Sequence, residues 1–109
     1  PTLLRLFIAR RLPKRRAIAG IIRAFPQRKF ILVGDSGEKD PEIYGMMARK
    51  FPSQVVRIFI RDVPERPLGI ERSRKAFRAI PADIWRAFQE PTEIDYDLET
   101  KLTADSPLV

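Results

Sequence analysis

Asp35 and Asp40, two carboxylates separated by four residues, are the side chains in this sequence best suited to chemistry. They punctuate the stretch FILVGDSGEKDPEIYG, residues 30 to 45. An unbroken apolar run is stopped by Gly34, and Asp35 follows at once. In an open α/β sheet, ligands collect outside the carboxyl ends of the strands. Asp35 falls there if 30–34 is a strand, and Asp40 returns at the start of the next helix. Both carboxylates can therefore face one crevice. A pair of hard oxygen donors on a glycine-relieved turn suits Mg²⁺, which takes one or two carboxylates and keeps water and phosphate ligands. Ser36, Gly37 and the loop amides could approach an anion closely. Each piece also has a structural alternative. Asp40 before Pro41 is a good helix N-cap, and Asp35-Ser36-Gly37 reads equally as turn chemistry.

What the chain lacks narrows the field. It has no cysteine, which excludes disulfides, thiol catalysis and thiolate metal sites, and points weakly to a reducing compartment. It has no histidine, so the commonest general base and transition-metal ligand are both missing. Any metal must be hard and oxygen-bound.

The elements that position the acidic loop follow from hydrophobic periodicity. Ile18, Ile21, Ile22 and Phe25 recur at helical spacing after Lys14-Arg15-Arg16, and Phe25-Pro26 ends that helix. Residues 30–34 read as a buried strand of a parallel sheet. Asp40-Pro41-Glu42 opens a helix to about Lys50, with Ile43, Met46, Met47 and Phe51 as its apolar stripe. Val55 to Ile60 is a second β-branched strand. A helix from about Glu71 to Ile80 and a short strand around residues 84–88 complete the series. Leu3, Leu4, Phe7, Ile8 and Leu12 form a further helix-like stripe before it, expected to pack on its own domain, with a short membrane-surface helix as the alternative. The rhythm predicts an α/β fold with a Rossmann-like parallel sheet and right-handed crossover helices.

At 109 residues the chain is one domain at most. Residues 1–92 form the expected folded portion. The stretch 93–109 reads as a loose tail with little periodicity, and residues 90–109 carry six acidic residues against Lys101 alone. The formal net charge of +7 is concentrated at the other end. No acidic residue precedes Asp35, whereas nine Arg or Lys residues do. Such a front half suits a phosphate ester, an anionic lipid surface or nucleic acid, or is simply a solvated face. Few aromatic residues are interleaved with these cations and no nucleic-acid motif appears, so specific nucleic-acid recognition is not expected. No segment reaches the roughly 20 apolar residues of a membrane span. The apolar run near the N-terminus is broken by Arg5 and makes a poor signal peptide. The expected location is cytoplasmic, peripheral at membranes if the partner is lipid. The start at Pro1 fits a processed or excerpted chain.

Together, GDSGEKDPEIYG, ARKFP and IFIRDV resemble the phosphatidate phosphatase catalytic domain of the yeast actin-patch-protein type, within the haloacid dehalogenase-like superfamily. The likeness covers most of residues 12 to 63 and extends toward 92 through AFRAIPADIWRAFQEP. The resemblance implies a Mg²⁺-dependent phosphatase of lipid metabolism using an aspartyl-phosphate. It implies that Asp35 and Asp40 hold the metal. Lys14, in PKRRAIAGIIRAFP, would neutralise the nucleophile and the phosphoryl oxygens. The family often has His before this Lys, where Pro13 stands here. Arg61 and Asp62 would contact substrate or support the loop, or form an ion pair.

Such phosphatases attack with the first aspartate of Asp-x-Asp-x-Thr at the end of a first strand. None of the 109 residues forms that motif; Asp95-Tyr96-Asp97-Leu98-Glu99 is the nearest imitation. The expectation is therefore an incomplete, haloacid dehalogenase-like fold, the C-terminal portion of a catalytic domain, inactive by itself. Its missing partner would be the upstream half of the domain. Without a first strand beside it, 30–34 should show a free edge or an exposed apolar face. The alternative is a non-catalytic basic module binding anionic lipid or nucleic acid.

Overall fold

Alternate apolar residues of the central strands face opposite ways, and the two sides of the sheet are built differently. The computed structural model describes residues 2–3, as backbone only, and residues 13–95. Its elements are β1 (Thr2–Leu3), α1 (Lys14–Ala24), β2 (Phe30–Asp35), α2 (Asp40–Lys50), β3 (Val55–Arg61), α3 (Ile70–Ala76) and β4 (Trp85–Phe88), then a 3-10 turn at Pro91–Glu93. The four strands form one sheet in the order β1-β2-β3-β4, and every neighbouring pair is parallel. This is the expected α/β, Rossmann-like arrangement with helical crossovers. Asp35 pairs with Arg61 at the carboxyl ends of β2 and β3.

The larger core lies on the face that carries Phe30 and Leu32 of β2 and Val55, Ile58 and Ile60 of β3. Ile18 and Ile22 of α1, Tyr44 and Met47 of α2, and Ala76 of α3 pack there. The other face gathers Ile31, Phe59, Phe88 and Ile94, with Val33 and Val56 beside them. Gly45 permits close packing of the helices, because a Cβ there would overlap the backbone carbonyl of Ala76.

Helix ends are satisfied from a distance. The Gln54 amide donates to the carbonyls of Ile22, Phe25 and Arg28, closing the C-terminal end of α1. Arg49 donates to the carbonyls of Ala76 and Arg78. That contact helps explain why α3 stops at Ala76 and not near Ile80 as periodicity suggested. Two of the carbonyls that would continue the helix are taken by a guanidinium, and Ala79 adopts a left-handed φ of 63°. Phe77 then stacks on Trp85 with ring centroids 4.4 Å apart.

Three further expectations are refined by the described residues. Leu3 lies in a strand paired to Ile31, so the helical stripe does not begin there; the rest of that stripe lies outside the described residues. The edge of β2 is partly covered, since Thr2 and Leu3 pair with Phe30 and Ile31. Nor is its second face bare, because Ile31 and Phe59 are 3% and 0% exposed. Folded packing also continues past residue 92. Glu90 and Glu93 close a capping box around the 3-10 turn, which seats Ile94 in the core. Residues 96–109 of the acidic tail lie outside the described residues. No helix among the described residues is long and apolar enough to cross a membrane.

Candidate active site

The acidic loop emerges from β2 and turns into α2, and its geometry is organised by one buried carboxylate. Asp40 is 3% exposed. Its Oδ2 accepts the backbone N–H of Asp35 at 3.0 Å, and its Oδ1 accepts Lys14 Nζ at 2.5 Å. Asp40 does not cap its helix. Lys39 is the N-cap residue of α2, no side chain caps that end, and Pro41 occupies the first turn. The capping alternative is thereby displaced: the carboxylate reaches back across the loop and leaves its own helix terminus alone.

Gly34 makes this approach possible, because any Cβ at that position would fall on the Asp40 carboxyl group. The glycine that stops the apolar run thus serves close approach of a side chain. Asp35, partly exposed, accepts the Gly37 N–H through Oδ1 at 2.9 Å. Its Oδ2 has no hydrogen bond among the described residues.

Lys14 comes from the first position of α1, 26 residues away in sequence. Its side chain is 29% exposed, and it also lies 3.9 Å from Glu38, itself 70% exposed. Its ammonium stands 5.8 Å from the centre of the Tyr44 ring. Tyr44 donates to the Val33 carbonyl at 3.1 Å. Burial, together with the nearby carboxylates of Asp40, Glu38 and Asp35, pushes its phenol well above the usual tyrosine range. It stays neutral and braces α2 against β2.

Of the other sequence-predicted residues, Arg61 is exposed beside Asp35, and its guanidinium has no ion pair among the described residues. Gly37 is exposed with its amide committed to Asp35. Ser36 is placed otherwise. It is 0% exposed, and its hydroxyl accepts the Val63 N–H at 2.9 Å. This ties the loop to the strand end of β3, so Ser36 faces the fold and not the crevice. Asp62 supports a loop, accepting the Leu68 N–H.

Arg72 was not legible in the sequence. From α3 it donates to the carbonyls of Ser36 and Glu38 at 2.7 and 2.8 Å, and to both oxygens of Glu42 at 2.7 and 3.0 Å. Hydrogen bonding from Arg72 holds the Glu42 carboxyl below its ordinary range, and Glu42 reciprocally raises Arg72. The only sequence signal was one more cation in a basic helix, 36 residues from Ser36.

Among the described residues, no cluster of three or more acidic or other metal-ligating side chains occurs. The donor set still fits Mg²⁺ in part. Asp35 offers a hard, accessible carboxylate with one oxygen uncommitted. Each Asp40 oxygen already accepts one hydrogen bond, one of them from the Lys14 ammonium.

The sequence profile described as "Phosphatidate phosphatase APP1, catalytic domain" matches residues 2–62, more than half of the chain. The chain belongs to this family. A Saccharomyces cerevisiae protein named Phosphatidate phosphatase APP1 is 57% identical over 44 residues, 40% of this chain. The Uncharacterized protein C29B5.04c of Schizosaccharomyces pombe is 48% identical over 50 residues, 46% of this chain. Each alignment covers 8% of the relative's own length. No solved structure matches. Within this family of phosphatase catalytic domains, the profile spans β1 through β3 and includes Lys14, Asp35, Asp40 and Arg61.

Proposed function

We propose that this chain supplies the lysine-and-metal half of a phosphomonoesterase site acting on phosphatidate or a related phosphate ester. One observation carries the reading. At the carboxyl end of β2, a single buried carboxylate holds both Lys14 and the backbone of Asp35. This unites the two residue types phosphoryl transfer requires, a fixed cation and a hard metal ligand.

The roles divide as follows. Lys14 presents its ammonium, anchored on one side by Asp40, to the phosphoryl oxygens as a compact point charge. Asp35, steadied by the Gly37 amide, is the residue placed to hold Mg²⁺, which when bound would neutralise charge on the phosphoryl group. Asp40 is a positioning residue that fixes Lys14 and the loop. Arg61 flanks Asp35 as a second cation for the ester's phosphate. The nucleophile must come from another segment, the upstream half of the domain, because no Asp-x-Asp-x-Thr occurs in this sequence. In the reaction its carboxylate oxygen bonds to phosphorus as the ester P–O bond breaks. The alcohol leaves with a proton given by the second aspartate of that motif, and water, returning a proton to it, then cleaves the aspartyl-phosphate to free the nucleophile and inorganic phosphate.

The test joins this chain to the segment preceding the matched stretch in the Saccharomyces cerevisiae relative, with phosphatidate hydrolysis as readout. Mg²⁺-dependent release of phosphate is expected, and none from the chain alone. Asp35→Asn in the joined protein should lower turnover on the order of 100-fold, as loss of one electrostatic stabiliser does. Unchanged turnover and Mg²⁺ dependence would remove Asp35 from the metal site.

A further inference from the structure

Away from the acidic loop, α1 and α2 enclose a groove of about 480 Å³ lined by Arg15, Arg16, Arg23 and Lys50 over Ala19, Met46 and Met47. Four cations converge there and no carboxylate lines it. Arg23 and Lys50 lie over the Phe51 ring, 5.6 and 5.9 Å from its centre, and none of the four has an ion pair among the described residues. The start of α1 sharpens the imbalance. Lys14, Arg15 and Arg16 open that helix with no acidic residue in its first turn. Cations at a helix N-terminus oppose the macrodipole. Asp40 relieves Lys14 alone, and no described carboxylate pairs with Arg15 or Arg16. Locally unfavourable choices of this kind concentrate at functional surfaces.

We infer that the α1–α2 face is a docking surface for an anionic lipid bilayer. Charge complementarity selects the class of partner, and the groove's other features select within it. No aromatic ring lines the groove, which removes the stacking platform that single-stranded nucleic acid uses. The apolar element is instead aliphatic and outward. Met46, at the groove beside Met47, is 38% exposed. Cations around exposed apolar side chains match the headgroup layer of a bilayer carrying acidic lipid. The surface is separate from the Lys14–Asp40 cluster, and its existence does not depend on the phosphatase reading.

The experiment is co-sedimentation of the full chain with vesicles of phosphatidylcholine alone or mixed with phosphatidylserine, which is not a phosphatase substrate. Binding is expected only to the mixed vesicles, and it should fall as sodium chloride screens the surface. Replacing Arg15, Arg16, Arg23 and Lys50 together by Gln should weaken partitioning on the order of several hundredfold, from about fivefold per basic residue. The variant R15K/R16K/R23K, which keeps the charge, should bind like the parent. Circular dichroism establishes that each variant is folded. A triple Gln variant of Arg74 and Lys75 on α3 and Arg78 just beyond it should lose far less. Equal binding to neutral vesicles, equal loss in the α3 variant, or retention in the groove variant would each overturn the inference. Tighter binding to a single-stranded oligonucleotide than to the mixed vesicles would overturn it as well.

Discussion

Asp40 has a different task at each of its oxygens, and this makes it the most informative single residue to alter. Asp40→Asn keeps a carbonyl oxygen for the Asp35 N–H but removes the anion facing Lys14. The expected cost is about 1.5–3 kcal/mol, the range for a hydrogen bond involving a charged group, read from urea unfolding. In a catalytically complete protein the same change should lower turnover, because Lys14 loses its anchor. Full turnover with Asp40→Asn would show that Lys14 needs no positioning. Gly34→Ala attacks the same contact from below: its methyl group would overlap the carboxyl group of Asp40. A loss of roughly 1–3 kcal/mol is expected, as for overpacking of a close-packed interior. A stability equal to the parent would mean that the loop yields freely. The sequence displayed Asp35, Asp40 and Gly34 plainly. It left undecided whether Asp40 caps its helix, because Asp-Pro-Glu satisfies capping rules and only the loop's path shows where the carboxylate points.

At the scale of elements, the loop between β2 and α2 is held by Arg72 of α3. Arg72→Met keeps much of the aliphatic stem and deletes the bonds to Ser36, Glu38 and Glu42. Hydrogen exchange at the Ser36 and Gly37 amides should speed up, with a stability loss of roughly 1–3 kcal/mol. Unaltered exchange would show the clamp to be redundant. The Arg72–Glu42 pair also sets a pH response. Because the folded-state pKa of Glu42 lies below its ordinary 4.5, its contribution is present above that pH. It is lost as pH falls through the lowered folded value. Below pH 4.5 the parent should therefore lose stability more steeply than Glu42→Gln in acid titrations followed by circular dichroism; identical slopes would refute the linkage. Of the elements, α1, β2, α2 and β3 were legible because apolar periodicity and burial agree in them. The C-terminal end of α3 was not, because its termination is helped by Arg49, a residue of another helix.

For the whole molecule, the sheet's extent matters more than any one contact. In the order β1-β2-β3-β4 the outer strands β1 and β4 each pair on one side only among the described residues. Unpaired strand edges template association between chains. Sedimentation velocity of the 109-residue chain should show concentration-dependent self-association, relieved when the upstream segment of the proposed function is joined to it. A monomer at every concentration would mean that these edges are protected. The larger core on one face and the smaller cluster on the other are consistent with a partial domain.

The sequence by itself determined the α/β class, the parallel pairing of the strands at 30–34 and 55–60, and the acidic loop at the end of the first of these. Those features are local: each is written in the spacing of apolar residues and in a few turn residues within one window. Only the tertiary structure decided that Asp40 turns away from its helix end to grip Lys14, that Ser36 faces inward, and that Arg72 holds the loop. It also decided that four cations of α1 and α2 share one groove with no carboxylate lining it. These relations join residues 26 to 36 positions apart, or on separate helices, and side-chain direction across such gaps is fixed by how the elements pack on the sheet.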